Sequence, residues 1–184
     1  MNDTMRSILE RSSTRSYTHE AVSSEMIEDL KKAALAAPTA TNKQENRFVF
    51  VTDKDLLAKI NTKVYEAMAA ESDSNGLARL KQRKAEDIFY GAPLVIFIYS
   101  QDSRYAIMDA GIAVQNLALA AHSLGLGSCI NGMCRRAFRS NDEGNLRSEL
   151  GFAEGEYFRV AIGIGHIARG KKPHRFNYAH IREI

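Results

Sequence analysis

Two arginines and several hydroxyl groups are concentrated in residues 11–15 of the chain, which read RSSTR. Guanidinium groups present their donors in a planar fork that matches a phosphate, and hydroxyls add further donors at little steric cost. The segment therefore predicts a phosphate-binding site. The alternative is the solvated, capped end of a short helix, because runs of charged residues usually lie on the surface.

Two further polar segments are candidates for ligand binding. Residues 38–46, PTATNKQEN, follow a predicted helix and alternate hydroxyl and amide side chains. Such groups both donate and accept, so they suit the polar edge of a heterocycle or a polyol chain; a plain solvent loop is the alternative. Residues 171–175, KKPHR, either cover a phosphate or belong to a solvated tail.

The usual signatures of stand-alone catalysis are missing from the sequence. It has no GxGxxG after a strand, no Walker loop, no GxSxG and no HExxH. The five histidines show no helical pairing typical of a metal site. Cys129 and Cys134 lack CxxC spacing, which favours reduced thiols. Because no cluster of nucleophile, base and acid stands out, the chemistry is predicted to come from a cofactor, with no catalytic side chain and no metal.

Composition indicates an ordinary globular domain. At 184 residues, with 45% hydrophobic and 26% charged residues, the chain is long enough for one full core. The net charge of +3 and the pI near 8.9 are mild, and Lys and Arg are scattered among acids, which argues against nucleic-acid binding. The first residues lack the pattern of a signal peptide, so we expect a cytoplasmic protein.

The elements that must position these segments follow from apolar spacing. Residues 109–124 are apolar around almost the whole helical wheel, which predicts a core helix buried on more than one side and too interrupted to span a membrane. Residues 72–76, SDSNG, are predicted to be a mobile linker. Further helices are predicted over residues 4–11, 23–37 and 53–71, and strands over 47–52, 94–99, 157–167 and directly after Gly127. Without a strict βαβ rhythm, this order favours an α+β fold with a mixed sheet.

Four stretches in this order resemble the flavin-dependent nitroreductase family: RSSTR, AAPTATNKQENRFVFV, DAGIAVQNLALAAHSLGLGSCING and IGIGHIARGKKPHR. The resemblance covers nearly the whole chain. It implies an α+β fold with a mixed, largely antiparallel central sheet flanked by helices, and one FMN-binding domain over residues 1–184 with residues 168–184 as a C-terminal arm. It also implies a homodimer that exchanges chain segments and holds one FMN at each of two sites in the subunit interface.

The resemblance also assigns residues to the FMN site. The phosphate and ribityl edge would be held by Arg11, Ser12, Ser13 and Arg15, with Lys172 and Arg175 closing over the phosphate. The other subunit would contribute Pro38, Thr39, Ala40, Asn42 and Gln44. Past the flavin ring would run Ile130, Asn131 and Gly132, where a backbone N–H suits the reactive nitrogen.

The chain departs from the family at two places. Members often carry Pro-Trp or Pro-Phe after the glutamine, where this chain has Glu45 and Asn46. Residues 72–90 lie where the family varies most and where lids arise; Asn75, Arg79 and Lys81 are candidates to reach the flavin. Substrate access is therefore expected to differ from that of other members.

The resemblance implies ping-pong oxidoreduction. NADH or NADPH would reduce FMN and leave, and a nitroaromatic, quinone or related acceptor would then bind in the same slot. Two alternatives stay open: a family member with another flavin reaction, such as dehydrogenation, dehalogenation or flavin fragmentation, and a non-catalytic flavin-binding protein. Neither nucleic acid nor membrane is expected as a partner.

Overall fold

A four-stranded sheet lies between two groups of helices in the computed structural model of the protein, which describes residues 1–83, 85 and 87–184, apart from the side chain of Arg79. The strands are β1 (Arg47–Val51), β2 (Leu94–Gln101), β3 (Gly127–Asn131) and β4 (Glu156–Gly165). They stand in the order β1-β2-β4-β3, and every pairing of these strands is antiparallel. A parallel bridge joins Ser13 to Ser128. The predicted α+β class with a mixed, largely antiparallel sheet is confirmed.

The helices also occur close to the predicted positions. The α-helices are α1 (Asp3–Glu10), α2 (Ser24–Leu35), α3 (Lys54–Ala70), α4 (Ser74–Gln82) and α5 (Ala106–Ser123). Short 3₁₀ turns cover Ala40–Asn42, Met133–Phe138, Ser148–Leu150 and Tyr178–His180. None of the helices in the described part of the chain is long and apolar enough to cross a membrane.

The predicted linker at residues 72–76 is wrong over its second half. Helix α4 begins at Ser74, and the Asp73 carboxylate accepts a hydrogen bond from the Gly76 N–H at 2.9 Å. The other Asp73 oxygen lies 2.7 Å from Nη2 of Arg136. The sequence SDSNG was interpreted as flexible because its residues favour turns, but an aspartate before a helix also caps that helix.

Strand β2 separates two hydrophobic cores. Its side chains alternate between the faces of the sheet, as in any strand, and both faces are covered. Val95 and Phe97 pack with residues of α3 on one face, whereas Ile96 and Ile98 pack with α2 and α5 on the other. This double burial accounts for the continuous apolar run that marks β2 in the sequence.

Helix α5 packs against the sheet and against α1 and α2, and one narrow stripe of it stays exposed within a single chain. Positions 110, 113, 114, 117, 118 and 121 are buried. On the opposite side the exposed fractions of Ile107 and Met108 are 78% and 61%, and Gly111 and Gln115 are also exposed. We call these four residues the α5 stripe. The predicted burial on more than one side is therefore met, and the α5 stripe is the part of the helix that one copy leaves exposed.

Candidate functional site

Residues 11–15, the phosphate segment, are fixed against strand β3. Helix α1 ends at Glu10, and the backbone leaves the helical conformation at Arg11, with φ −54° and ψ 132°. Ser13 then pairs with Ser128 in the parallel bridge, and the N–H of buried Thr14 donates to the Ser128 carbonyl at 2.8 Å. The segment is therefore an extra short strand at the edge of the sheet rather than a free helix end.

Close approach of this segment requires a glycine in β3. A Cβ at Gly127 would lie 2.6 Å from Oγ1 of Thr14 and 2.8 Å from a side-chain carbon of Ile167. On the other side, the Tyr17 hydroxyl lies 2.9 Å from the Thr14 carbonyl oxygen and 3.2 Å from that of Gly163. Burial raises the pKa of this hydroxyl, so it stays a donor. The backbone of the phosphate segment is thus pinned from both sides.

One side-chain N–H of Arg15 is an unsatisfied donor within the described part of the chain. Its Nε is buried and has no hydrogen-bond partner among the described residues. The guanidinium carbon lies 5.7 Å from the centroid of the Tyr90 ring. A buried N–H without an acceptor is costly, and a charged donor binds an anion more strongly than a neutral group does. The arrangement therefore fits an anionic ligand.

The C-terminal arm returns to the phosphate segment at Lys171. The Ser12 hydroxyl donates to the Lys171 carbonyl at 2.7 Å. A cavity of about 120 Å³ is lined there by Arg11, Ser12, Ser128, Lys171 and others. The structure thus brings the phosphate segment together with Lys171, the residue before the predicted Lys172.

The two predicted arm cations do not line the cavity at the phosphate segment. Lys172 and Arg175 are exposed, and Arg175 lines a separate cavity of about 540 Å³ together with Leu9 and Tyr178. Within one copy, these two cations are therefore not gathered around the phosphate segment.

Both cysteines are free, buried and held as thiols. Burial raises the pKa of Cys134 and, less strongly, that of Cys129. At Cys129 the nearby positive charges of Arg15, Arg83 and Arg11 oppose this effect. The prediction of reduced thiols agrees with this environment, and the charges locate a cationic region around β3.

The second predicted segment, residues 38–46, forms a strained loop. Thr41, Asn42 and Gln44 have positive φ values of 52°, 55° and 52°. Such values are uncommon outside glycine and cluster at functional sites. Local bonds hold the shape: the Gln44 N–H donates to Thr39 Oγ1 at 3.0 Å, and Gln44 Nε2 donates to Asn42 Oδ1 at 2.9 Å. The exposed amides of Asn42 and Gln44 are thus oriented before any ligand binds.

The strained loop is fastened to the start of α5. The Ala40 N–H donates to both carboxylate oxygens of Asp109, at 3.1 and 3.3 Å, and Asp109 is buried. The phosphate segment lies at the other end of this helix, beside Ser128. Helix α5 has 18 residues, and a rise of about 1.5 Å per residue makes it roughly 27 Å long. One copy of the chain therefore does not bring the two predicted half-sites together.

The segment predicted to run past the flavin ring, residues 130–132, covers the last two residues of β3 and the residue after it. Ile130 is 41% exposed and Gly132 is exposed, with nothing within 4 Å of the place a Cβ would occupy. Asn131 is buried; its Nδ2 donates to the Ile88 carbonyl at 2.7 Å and its Oδ1 accepts from the Met133 N–H at 2.7 Å. Both ends of that amide are used internally, so the Asn131 side chain holds the fold together rather than facing a ligand.

Several residues that shape the site were not predicted to do so. Tyr17 supports the phosphate segment, Tyr90 lies against Arg15, Arg83 donates to the Tyr90 hydroxyl at 2.9 Å, and Asp109 holds the strained loop. One signal was present in the sequence: Asp109 is the acidic residue that interrupts an otherwise apolar helix face. The proposed lid residue Arg79 lies outside the described side chains, whereas Arg83 from the same region does reach the site.

Comparisons with known proteins agree on one protein family. The model of the Nitroreductase family matches residues 8–166. The FMN reductase (NADPH) of Bacillus subtilis is 26% identical over 184 residues, covering 94% of this chain and 70% of the relative. A nitroreductase from Desulfitobacterium hafniense, solved with bound FMN, superposes with a TM-score of 0.93 at 32% identity and covers 100% of this chain and 99% of its own. An FMN-dependent nitroreductase from Clostridium difficile gives 0.83 at 27% identity over the same shares.

Proposed function

The chain belongs to the nitroreductase family, and from that membership we propose that it is an FMN-dependent oxidoreductase that uses NADH or NADPH to reduce nitroaromatic, quinone or related acceptors. The observation that carries the proposal is the Nε of Arg15, which is buried and has no hydrogen-bond partner among the described residues, in the pinned segment that also contains Arg11 and Ser12. When bound, FMN would supply the redox chemistry that connects the reduced nicotinamide to the acceptor.

The residues of the phosphate segment would hold the phosphate and ribityl edge of FMN. Arg15 offers its free donor, Arg11 adds charge, and the Ser12 and Ser13 side chains stand on a backbone fixed by β3. Lys172 and Arg175, on the exposed arm, would close over the phosphate. A charge-assisted hydrogen bond to phosphate is stronger than one between neutral groups, so the arginines would dominate affinity.

The flavin ring would lie along residues 130–132. The exposed Ile130 side chain offers an apolar surface, and the Gly132 backbone is open to solvent. A backbone N–H there would donate to the reactive nitrogen and stabilise charge that develops on reduction. The chain itself would then bind and orient the flavin and shield it from water. This role agrees with a sequence in which no acid–base cluster is predicted.

A second copy of the chain would complete each site. The strained loop and the phosphate segment lie at opposite ends of α5, and the α5 stripe between them exposes apolar side chains. A two-fold axis across the stripe would place two α5 helices antiparallel, so that the start of one meets the end of the other. Pro38, Thr39, Ala40, Asn42 and Gln44 of one subunit would then reach the flavin held by its partner.

The C-terminal arm, residues 168–184, supports the same assembly. Its apolar side chains, including Phe176, Tyr178 and Ile181, are exposed in the single chain. Strand β1 is an edge strand, and a cavity of about 390 Å³ runs beside it. That cavity is lined in part by Asn46, whose buried Nδ2 has no partner among the described residues. The arm of a second copy would cover this edge, as extended segments often do.

The test of this function is spectroscopic. Purified protein should be yellow, or become so with FMN, and should bleach anaerobically with NADH or NADPH. Adding an acceptor such as a nitroaromatic or a quinone should then restore the colour. Light scattering should give the mass of a dimer. A protein that cannot be loaded with FMN would contradict the proposal, whereas one that is loaded but not reduced by nicotinamide would favour another flavin reaction.

A further inference from the structure

Arg83 extends the cationic region toward solvent. It follows α4, and its Nη1 donates to the hydroxyl of Tyr90 at 2.9 Å. A neutral hydroxyl orients a guanidinium without cancelling its charge. Arg136 shows the opposite arrangement, since its Nε lies 2.9 Å from Glu71 and its Nη2 lies 2.7 Å from Asp73. Among the described residues, no carboxylate lies within salt-bridge distance of Arg83, so Tyr90 orients its charge and leaves it available to an anion.

Contacts through Tyr90 tie Arg83 to the candidate FMN site. Arg15 lies against the Tyr90 ring while Arg83 binds the hydroxyl of the same side chain. Positive charges from Arg83 and from Arg15 both act on Cys129, which precedes the exposed Ile130 in β3. Arg83 and Arg15 thus contact the same tyrosine side chain, one at its hydroxyl and the other at its ring.

The backbone at Tyr90 is strained. Its φ is +59°, a conformation that bulky residues rarely adopt and that proteins retain mostly at functional positions. The turn is held from below: Gly91 N–H donates to Asp87 Oδ2 at 3.0 Å, and the Ile88 carbonyl accepts from Asn131 at 2.7 Å. The strain is thus supported by bonds that couple the turn to β3.

We propose that Arg83 binds an anionic substituent of the electron acceptor and that Tyr90 positions it, so that the enzyme prefers aromatic acceptors with a carboxylate or sulfonate over neutral analogues. This inference rests on the proposed function of the same site. The proposed function assigns the phosphate of FMN to Arg11 and Arg15, whereas Arg83 is exposed and contacts the Tyr90 hydroxyl.

Equilibrium binding tests the inference without turnover. Oxidised, FMN-loaded protein is titrated with benzoate and with benzamide, and binding is followed by the change in flavin absorbance. Benzoate should bind more tightly than benzamide. Arg83→Gln should weaken benzoate binding roughly tenfold, the change expected for loss of one charge-assisted hydrogen bond, and should leave benzamide binding unchanged. The affinity for FMN should not change.

Matched variants separate local charge from net charge and from folding. Lys59→Gln removes one positive charge from an exposed residue that pairs with Glu149, and should leave benzoate binding intact. Tyr90→Phe keeps the ring beside Arg15 but removes the hydroxyl, and should lower the benzoate preference by a smaller factor. Arg83→Lys should retain part of the preference. The ratio of kcat/KM for 4-nitrobenzoate and 4-nitrobenzamide should follow the same order.

Two results would overturn the inference. One is an unchanged benzoate affinity in Arg83→Gln; the other is a loss that is not specific to the anion, seen either as an equal loss for benzamide or as a loss of FMN affinity that would place Arg83 on the cofactor. Either result can occur in a yellow protein that bleaches with NADH or NADPH, so the proposed function would survive. A protein that cannot be loaded with FMN would instead remove the proposed function first.

Discussion

The backbone N–H of Ala40 donates to the buried carboxylate of Asp109, 69 positions later in the chain. This contact holds the strained loop at the start of α5, where three residues adopt positive φ. A loop with that conformation stays ordered only if its surroundings support it. The pair therefore links the apolar scaffold to the segment that is proposed to reach the partner's flavin.

Substituting Asp109 should loosen this loop. Asp109→Ala leaves the Ala40 N–H without an acceptor and should lower the free energy of unfolding by about 1–3 kcal/mol. Asp109→Asn keeps one acceptor oxygen and should cost less. FMN should dissociate faster from both variants, as measured by the recovery of free-flavin fluorescence. Asp55→Asn, at an exposed position early in α3, serves as the control. Unchanged FMN dissociation in Asp109→Ala would exclude the loop from the site.

Arg15 should matter more for cofactor than for folding. Its Nε has no described partner in the single chain, so Arg15→Ala removes little from the apo protein. With FMN bound, the variant loses a charge-assisted bond of about 1.5–3 kcal/mol, or roughly 10- to 150-fold in affinity. Arg175→Ala should act in the same direction. Fluorescence titration with FMN and thermal melts of apo and holo protein make the comparison.

The control for these arginines is Arg135→Ala, which changes the same net charge at an exposed position outside the phosphate segment. It should leave FMN affinity unchanged. An equal drop of melting temperature in apo and holo Arg15→Ala would show a structural role instead.

Gly127→Ala should displace the phosphate segment. The added Cβ would meet the Thr14 side chain at 2.6 Å, and overpacking of this kind costs about 1–3 kcal/mol. Because Thr14 is bonded to Ser128, the shift should also reduce FMN affinity. Gly170→Ala, with nothing within 4 Å of its new Cβ, is the matched substitution. Both are compared by urea unfolding and FMN titration; wild-type behaviour of Gly127→Ala would refute the close approach.

The α5 stripe should control assembly. Met108→Glu places a charge on an exposed apolar position, so it should change the fold of the single chain little but prevent two stripes from packing. Analytical ultracentrifugation should show monomer, with weakened FMN binding. Ala58→Glu, on the exposed side of α3, should remain wild-type in both respects. A Met108→Glu dimer with full FMN affinity would place the interface elsewhere.

Acid should weaken the contact between Arg136 and Glu71, which lies just before α4. Hydrogen bonds from Arg136 and Arg139 hold the pKa of Glu71 below its usual range. Since the folded pKa is depressed, the stabilisation is fully present above the ordinary glutamate pKa and is lost as pH falls through the folded value. Urea unfolding between neutral and acidic pH should show this loss in wild type and less of it in Glu71→Gln. If the free energy of unfolding falls equally with pH in the two proteins, Glu71 does not contribute to the acid sensitivity.

The local spacing of apolar residues was sufficient to predict most of the helices and strands. The apolar run of β2 and the periodic spacing of α2 and α3 reflect burial that each element undergoes independently of distant details, so the sequence predicted them. The segment at residues 72–76 misled because aspartate, serine and glycine are common both in turns and at helix starts. In the structure, Asp73 caps α4 through the Gly76 N–H and also contacts the distant Arg136.

The site was harder to predict because its geometry depends on distant partners. The resemblance marked the phosphate segment and the strained loop, but neither apolar spacing nor composition reveals that Ala40 is held by Asp109 or that the Asn131 amide is used internally. The role of Arg83 also depends on a bond to Tyr90 across a segment without strong periodicity. Long-range hydrogen bonds of this kind leave little trace in local sequence.

Because α5 separates the two proposed half-sites of one chain, FMN binding should depend on protein concentration. Under the proposed pairing, neither subunit alone encloses its FMN, so release of the flavin and separation of the subunits are thermodynamically linked. Diluting the enzyme should therefore shed flavin, and excess FMN should hold the subunits together. Activity per molecule should rise with enzyme concentration until association saturates.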